Sequence, residues 1–276
     1  MSTWFITGCS TGIGRALAEA VIAAGHDVAI TARDASSIDD LAAAAPDRVW
    51  VSALDVTDAD RIRTVVGEAE SRFGKIDVLV NNAGYGYRSA IEEGEDDELQ
   101  RLFATNVFGP VHLIQAVLPG MRARQTGTIF NVTSIGVRIA PEGSGFYAAS
   151  KAALEAISSS LRKEGAPLGI RVVAVEPGSF RTDFYDRSLA QSSVPIEAYA
   201  DTSGRRRKEN VQVQGTEPGD PARAAQAIIT TAESDDPPAL LLLGPDALIG
   251  YAKTRDALDA DVNRWRVVSA STDFVA

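Results

Sequence analysis

The sequence predicts a doubly wound α/β fold, in which one parallel sheet is covered by helices on both faces. Short apolar runs alternate along the chain with longer amphipathic segments, as expected for strands separated by helices. The short runs are apolar almost throughout, which is typical of strands buried on both faces of a parallel sheet. No Pro-, Gly- or Ser-rich linker and no repeat divides the 276 residues, a length common for one α/β domain. We therefore expect a single domain over residues 1–276.

Seven strands are predicted, each bounded by Gly, Pro, Asn or Asp. They cover residues 3–7, 27–32, 49–54, 76–80, 127–133, 170–175 and 239–243. Six helices are predicted between them from the helical spacing of apolar residues. They cover residues 13–24, 37–44, 59–73, 96–122, 145–164 and 221–231. Right-handed crossovers through these helices would bring the strands into one parallel sheet.

Two segments extend this alternating pattern. A polar insertion is expected at about residues 183–220, between the sixth strand and the next helix, and it contains the basic run 205–208. Such a run is most often solvated surface, and attraction of an acidic substrate is the alternative. The C-terminal extension, at about 245–276, is interpreted from Leu248 onward as an amphipathic helix containing Trp265. It would pack on the domain or on a neighbouring subunit.

Composition and charge exclude several classes of protein. Thirty-seven acidic and 27 basic side chains give a net charge of −10, which repels a phosphate backbone. One cysteine, Cys9, cannot form an internal disulfide, and with two histidines it does not supply the usual ligands of a zinc site. The chain reaches its first predicted strand without a targeting segment, and its longest later apolar run is far shorter than the ~20 residues that span a bilayer. We expect a cytoplasmic protein with no metal and no nucleic acid or membrane partner.

A glycine-rich turn links the first predicted strand to the first helix. In such a turn the backbone N–H groups and the helix N-terminus can approach a pyrophosphate, so we expect a dinucleotide here. The alternative is a tight turn that needs only small residues, with Cys9 as a buried filler. The residues expected to contact the dinucleotide are Gly8, Ser10, Thr11, Gly12, Ile13 and Gly14.

Five further motifs follow in later elements. Asn81-Asn82-Ala83-Gly84 follows the fourth strand, Ser134 follows the fifth strand, and Tyr147 and Lys151 lie four residues apart at the start of a helix. Asn106 lies within a long helix, and the run Pro177-Gly178-Ser179-Phe180-Arg181-Thr182 follows the sixth strand. Because all these motifs occur in the chain order typical of one family, residues 3 to about 245 resemble the classical short-chain dehydrogenase/reductase (SDR) family. The resemblance implies a Rossmann fold and an oxidoreductase that uses a nicotinamide dinucleotide.

The spacing of Tyr147 and Lys151 puts both side chains on one face of a helix. A nearby ammonium favours the phenolate form of a tyrosine, so Tyr147 is the candidate general acid/base. Ser134, at the carboxyl end of a strand, can donate a hydrogen bond to a substrate oxygen. The resemblance adds that Lys151 contacts the nicotinamide ribose and that Asn106 holds a water in a proton relay.

The end of the second strand bears on the choice between NAD(H) and NADP(H). An acid there usually binds the ribose 2′-hydroxyl of NAD, whereas an arginine accommodates a 2′-phosphate. Alignment with the family puts Ala32 at the acid's position and Arg33 next to it, which favours NADP(H). Asp34 follows at once, so a shift of one residue would restore NAD(H), and the glycine-rich turn lacks an Arg or Lys that many NADP(H) members carry. The remaining expected contacts are Asp55, Val56, Asn81, Ala83, Gly84, Tyr147, Lys151, Pro177, Gly178, Phe180 and Thr182.

The sequence says less about the substrate. By resemblance, the pocket is formed after Gly84, after Ser134 and within the insertion, where the aromatic residues are Tyr85, Tyr87, Phe184 and Tyr185. They favour an apolar carbonyl or alcohol substrate, or they only cover the core. The resemblance also implies a homodimer or homotetramer. Three alternatives are an NAD-dependent alcohol or steroid dehydrogenase working oxidatively, a non-catalytic dinucleotide sensor, and a sugar-nucleotide epimerase or dehydratase, which the glycine spacing and chain length disfavour.

Overall fold

A computed structural model of the chain describes residues 1–274, except the side chains of residue 185 and of residues 210–213. Seven strands form one parallel sheet in the order β3-β2-β1-β4-β6-β7-β9. They are β1 (Thr3–Thr7), β2 (Asp27–Ala32), β3 (Val49–Ala53), β4 (Val78–Asn81), β6 (Gly127–Val132), β7 (Ile170–Pro177) and β9 (Leu240–Leu243). The order turns back beside β1, where ligands of open α/β sheets bind at the carboxyl ends of the strands. The predicted seven-stranded parallel sheet is therefore confirmed.

Helices cover both faces of the sheet. The main ones are α1 (Gly12–Ala23), α2 (Asp39–Ala44), α3 (Ala59–Phe73), α4 (Asp96–Phe103), α5 (Gly109–Arg124), α6 (Gly136–Ile139), α7 (Gly145–Gly165) and α10 (Pro221–Glu233). Successive strand residues point to opposite faces, so Trp4 and Ile6 pack with α1 and α10, while Phe5 packs with α3 and α5. Two hydrophobic cores result, one on each side of the sheet.

The long helix predicted over 96–122 continues to Arg124 and contains an irregular turn. A π-helical turn, Ala104–Phe108, lies between α4 and α5 and contains Asn106. By length and composition alone, the run 96–124 is the one helix in the described chain that could cross a membrane. Several of its apolar side chains, including Leu113 and Val117, are buried in the core against α3 and the sheet. These contacts are those of a core helix in an α/β domain.

Two short strands were not predicted. β5 (Gly86–Arg88) and β8 (Leu189–Gln191) form a separate parallel pair beside the main sheet. Strands of three residues carry too few positions for an alternating pattern to be visible in a sequence. This pair connects the segment after β4 to the insertion.

The insertion carries α8 (Phe184–Arg187), β8 and α9 (Arg205–Val213). The interpretation of the basic run 205–208 as solvated surface is wrong for Arg207. This guanidinium pairs with the buried carboxylate of Glu93, which also accepts hydrogen bonds from the N–H groups of Ala90 and Ile196 at 2.7 and 2.8 Å. An anion buried this deeply needs such partners. The ion pair therefore fixes the insertion to the segment after β5.

The predicted C-terminal helix is α11 (Pro245–Ala270). Its first turns pack on the domain, where Ala247 is buried and the Tyr251 ring lies 5.8 Å from the guanidinium carbon of Arg138. Beyond these turns the helix is exposed, including Leu258 and Trp265. Only its beginning therefore contacts the domain, and the end of the extension, residues 275–276, lies outside the described residues.

Candidate active site

The glycine-rich turn is held tightly against the end of β4. The Asn82 side chain donates to the carbonyl oxygens of Thr7 and Gly8 at 2.9 and 3.0 Å. Gly8 and Gly12 have φ angles of +71° and +61°, which favour glycine. A Cβ on Gly14 would lie 2.3 Å from the Gly8 oxygen, so no larger residue fits there. The turn thus presents the N-terminus of α1 to the cavity above the sheet.

This N-terminus can accept an anion. Thr11 occupies the cap position, yet its side chain makes no capping hydrogen bond. The first N–H groups of a helix lack partners within the helix, and the positive end of its dipole attracts phosphate. Cys9, within the same turn, is fully buried, and burial raises its thiol pKa to about 12, so it is not a reactive nucleophile.

Ala32 and Arg33 line the cavity at the carboxyl end of β2. The Arg33 side chain is exposed and makes no hydrogen bond or ion pair within the described residues. Asp34 is oriented differently, because its carboxylate accepts hydrogen bonds from the N–H and the hydroxyl of Ser36 at 3.0 and 2.8 Å. Asp34 therefore caps the short 3-10 turn that begins the predicted 37–44 helix.

Asp55 follows β3 and also lines the cavity, as does Val56. The Asp55 carboxylate accepts hydrogen bonds from the N–H and hydroxyl of Thr57 at 2.9 and 2.7 Å. These bonds hold the turn before α3 and leave the second carboxylate oxygen available to a ligand.

Tyr147 and Lys151 lie on the first turns of α7, and both line the cavity although they are only 8% and 5% exposed. The Lys151 ammonium donates to the Val132 carbonyl oxygen at 2.8 Å. A Cβ on Gly84 would lie 3.1 Å from Lys151 Nζ, so the glycine lets the backbone after β4 approach the ammonium. Burial lowers the pKa of Lys151 to about 8. This group can change its charge near neutral pH.

Asn106 is fully buried in the π-helical turn. Its amide oxygen accepts from the Tyr85 N–H at 3.1 Å, and its amide nitrogen donates to the Tyr85 carbonyl and to the Ser150 hydroxyl at 2.9 and 3.1 Å. Ser150 in turn donates to the Tyr147 carbonyl at 2.8 Å. The side chain of Asn106 therefore joins the segment after Gly84 to the helix that carries Tyr147.

Ser134 lies just after β6 and lines the cavity. Its hydroxyl oxygen accepts from the Gly136 N–H at 3.0 Å, which leaves the hydroxyl proton for another acceptor. The Tyr147 ring lies 5.8 Å from the Phe184 ring. Among the aromatic residues expected in the pocket, Tyr85 and Phe184 line the cavity, whereas Tyr87 is fully buried in packing with Phe146. The side chain of Tyr185 lies outside the described residues.

The segment after β7 closes the cavity opposite the glycine-rich turn. A Cβ on Gly12 would lie 3.4 Å from Thr182. Asp246, in the first turn of α11, accepts from the Ser179 N–H at 2.7 Å, and its carboxylate would lie 2.2 Å from a Cβ on Gly178. No motif indicated Asp246 in advance, because its contact joins elements far apart in the chain.

One cavity of about 930 Å³ brings most of the predicted residues together. Three do not line it. Gly14 packs behind the glycine-rich turn, Asn81 donates to the Asn131 side chain at 2.7 Å within the sheet, and Asn106 lies behind Tyr85. The predicted residues that line it are Gly8, Ser10, Thr11, Gly12, Ile13, Arg33, Asp55, Val56, Ala83, Gly84, Ser134, Tyr147, Lys151, Pro177, Gly178, Phe180 and Thr182.

The family model described as short chain dehydrogenase matches residues 2–192. This chain belongs to the short-chain dehydrogenase family. It is 36% identical over 270 residues to "Oxidoreductase BOA17" of Botryotinia fuckeliana, with 98% of each chain covered. The family members are oxidoreductases that act on CH–OH groups with NAD(P), and this chain is such an enzyme.

Solved structures of the short-chain dehydrogenase family share the fold. A short-chain dehydrogenase from Streptomyces avermitilis is 43% identical, with a TM-score of 0.92, and the match covers 99% of this chain and 100% of that one. An alcohol dehydrogenase from Thermococcus sibiricus, complexed with 5-hydroxy-NADP, is 25% identical with a TM-score of 0.73, and 88% and 96% of the chains are covered. The family and the doubly wound fold expected from the motifs are both confirmed.

Proposed function

We propose that this enzyme is an NADP(H)-dependent oxidoreductase that interconverts a carbonyl and a secondary alcohol, with Tyr147 as general acid/base. The observation that carries the proposal is that Tyr147, Lys151 and Ser134 line the same cavity as the glycine-rich turn. A proton donor, a cation and a hydroxyl donor thus face the space beside the expected dinucleotide site.

In this proposal Tyr147 gives a proton to the carbonyl oxygen during reduction and takes it back during oxidation. Ser134 donates its free hydroxyl proton to the same oxygen and orients it, which favours the transition state as negative charge develops there. Lys151 places a positive charge beside the tyrosine and favours its phenolate form. The Asn106 side chain holds the backbone of Tyr85 and, through Ser150, the start of α7 in position.

The residues present fit a dinucleotide, because Gly8 and Gly12 of the glycine-rich turn line the cavity and the Thr11 side chain does not cap the N-terminus of α1. The pyrophosphate would lie at the N-terminus of α1, and Asp55 and Val56 would hold the adenine end. Ala83, Gly84, Lys151 and the segment 177–182 would hold the nicotinamide end. When bound, this cofactor supplies or accepts the hydride.

The preference for NADP(H) is supported by the two side chains after β2. Arg33 is an unpaired cation that lines the cavity, whereas Asp34 is engaged with Ser36. An arginine can bind a 2′-phosphate, and an acid there would repel it. A similar enzyme was solved with 5-hydroxy-NADP. The alternative is an NAD-dependent alcohol or steroid dehydrogenase, which requires Asp34 to turn toward the ribose.

The apolar character proposed for the substrate is supported by Ile135, Phe184 and Leu189, which line the cavity together with Tyr147. The proposal includes the homo-oligomeric state and the cytoplasmic location expected from the sequence. We expect the ratio of oxidised to reduced cofactor in the cell to set the direction of the reaction.

The proposal is tested by measuring absorbance at the nicotinamide band with NADPH or NADH and a panel of aldehydes, ketones and secondary alcohols. We expect NADPH oxidation with carbonyl compounds and a weaker rate with NADH. Nucleotide binding without turnover on any member of a broad panel would instead favour the non-catalytic sensor. Faster turnover with NADH would favour the NAD-dependent alternative.

A further inference from the structure

We infer that the substrate end of the cavity binds an anionic group, a carboxylate or a phosphate, on an otherwise apolar substrate. The inference rests on the proposed function and adds the class of substrate. It concerns Arg88 of β5, Ser144 directly before α7 and Arg206 of α9, which all line the cavity. We call these two arginines, together with the serine, the arginine cluster.

The three segments that carry the arginine cluster are in contact with one another. The N–H of Ser89, next to Arg88, donates to the Gly143 carbonyl at 3.1 Å. A Cβ on Gly143 would lie 3.1 Å from the Cβ of Ser203, which precedes Arg206 by about one helical turn. The residues flanking the cluster are therefore in direct contact.

The charge at this end of the cavity is opposite to that of the whole chain, whose net charge is −10. Arg88, Arg187 and Arg206 line it, and Arg88 is only 5% exposed. Among the described lining residues the carboxylates are Asp55, at the nucleotide end, and Glu98, which accepts a hydrogen bond from Arg101 at 3.1 Å. A guanidinium carries five donors, so Arg88 can bind a further acceptor in addition to its contacts within the chain. The site is thus locally cationic.

Two buried donors of the cluster have no acceptor within the described chain. Ser144 is 2% exposed and occupies the cap position of α7, yet its hydroxyl neither caps the helix nor bonds elsewhere. The Arg206 Nε–H is likewise buried without a partner, and the guanidinium reaches Glu209 only at 3.5 Å. Buried polar groups in folded proteins are almost always hydrogen-bonded, so such donors indicate a missing acceptor. The N-terminus of the 21-residue α7 adds its positive dipole end at the same place.

The neighbouring contacts hold the cluster in place. Arg207 is committed to the buried Glu93, which anchors the start of α9 to the segment after β5. Arg206, the neighbouring residue, lines the cavity, and its guanidinium makes only the weak 3.5 Å contact to Glu209 within the described residues. With Ile135, Phe184 and Leu189 lining the same end, the site fits a carbonyl compound or alcohol with an apolar body and an anionic end.

The test compares (ω−1)-oxo carboxylic acids, which are methyl ketones, from hexanoic to dodecanoic, with their methyl esters and with (ω−1)-oxoalkyl phosphates of matched length. Wild type, Arg206→Ala, Arg206→Lys, Ser144→Ala and the control Lys208→Ala are assayed with the preferred nicotinamide nucleotide. Lys208 is exposed on the same helix and does not line the cavity, so its loss changes the net charge equally. Nucleotide binding by each variant verifies that it is folded.

We expect one chain length at which an anionic substrate has a lower KM than its ester by about tenfold to hundredfold, the worth of a charge-assisted hydrogen bond. Arg206→Ala should remove this difference by raising the KM of the anionic substrate, with the ester and kcat little changed. Arg206→Lys should retain part of the difference, Ser144→Ala should reduce it, and Lys208→Ala should keep it. A phosphate used better than a carboxylate would identify the head group.

Equal KM values for acid, phosphate and ester at every length would overturn the inference while leaving the proposed function intact, because the esters are still reduced. Equal effects of Arg206→Ala and Lys208→Ala would also overturn it, since a general loss of charge would then explain the result. If neither the acids nor the esters nor the wider carbonyl panel is reduced with either nucleotide, the proposed function fails and the inference fails with it.

Discussion

At the scale of single residues, the proposed active site contains a buried cation, the Lys151 ammonium, whose burial lowers the stability of the folded chain. Lys151 is 5% exposed, and its ammonium donates to the carbonyl oxygen of Val132 rather than to a carboxylate. Burial favours the neutral amine, so its pKa falls to about 8. This pKa is still above 7, so the ammonium form predominates at neutral pH and can favour the phenolate form of Tyr147, as proposed.

Replacing Lys151 with an apolar residue should therefore lower activity without lowering the stability of the folded chain. Lys151→Met should abolish turnover, and the free enzyme should be as stable as wild type or more stable at pH 7, by roughly 1–3 kcal/mol. The pKa of Lys151 is lower in the folded chain than in the unfolded chain. Between about pH 8 and the ordinary lysine pKa, the unfolded chain therefore binds more protons than the folded chain. The stability of the wild type rises with pH in that range for this reason.

Urea unfolding of both proteins from pH 7 to pH 10 checks this prediction. The advantage of Lys151→Met should shrink as the pH rises, because the wild-type lysine becomes neutral. A variant that is several kcal/mol less stable at pH 7, with no change in the difference up to pH 10, would show that Lys151 is not a buried charge.

In the proposed function, Arg33 is the residue that favours NADP(H) over NAD(H). A charge-assisted contact with a 2′-phosphate is worth about 1.5–3 kcal/mol, or roughly tenfold to hundredfold in affinity. Arg33→Ala should weaken NADPH binding by that factor and change NADH binding little, as measured by dissociation constants. Arg63→Ala, an exposed arginine on α3 that does not line the cavity, serves as the control. Equal losses for both nucleotides, or a wild type that prefers NADH, would make Asp34 the ribose contact.

At the scale of elements, the glycine-rich turn works because α1, β4 and the segment after β7 approach each other closely. Asn82 bonds the turn to β4, and Asp246 of α11 holds the segment after β7. Each contact requires a glycine, at residues 14 and 178 respectively. These three elements form a rigid frame for the dinucleotide.

Two glycine-to-alanine changes in helices should have opposite effects. In Gly14→Ala the new Cβ would lie 2.3 Å from the Gly8 oxygen, so we expect a loss of about 1–3 kcal/mol in the free energy of unfolding and weaker nucleotide binding. Gly67→Ala on α3 has no atom within 4 Å of the new Cβ and should gain about 0.5–1 kcal/mol. Denaturant unfolding and nucleotide titration measure both variants. Similar stability and binding in the two variants would mean that the turn tolerates a side chain.

Much of this frame could be predicted from the sequence, because buried parallel strands are long apolar runs and the motifs follow their ends. The strand β1 begins and ends where the pattern indicated. Contacts between distant segments could not be predicted. The β5–β8 pair has three residues in each strand, and Arg207 looks like solvated surface until Glu93 is placed beside it. Such contacts depend on the tertiary structure and leave no local periodicity.

At the scale of the whole molecule, the helices α4, α5 and α7 carry the surface through which we expect two copies of the chain to pair. Phe108, between α4 and α5, is 55% exposed, while neighbouring Val107 is buried. An exposed aromatic ring beside a long helix suits an interface between subunits. The helix α11 carries a second apolar surface, which includes the exposed side chain of Ile249 in its first turns and Leu258 and Trp265 further along.

Light scattering at micromolar concentration should therefore give a dimer or tetramer. Phe108→Glu should shift the enzyme toward the monomer, because it places a charge in the interface, whereas Ile249→Glu should leave the mass unchanged. A monomeric wild type would contradict the expected assembly. A monomer produced only by Ile249→Glu would assign the interface to α11.

In the proposed mechanism Tyr147 transfers the proton to and from the substrate oxygen. The most direct measurement is the turnover of Tyr147→Phe beside wild type on the best carbonyl substrate, together with its dissociation constant for NADPH. Our account predicts turnover lower by roughly 10²-fold to 10⁴-fold, the usual worth of general acid/base catalysis, with nucleotide binding nearly intact. Wild-type turnover by Tyr147→Phe would contradict it.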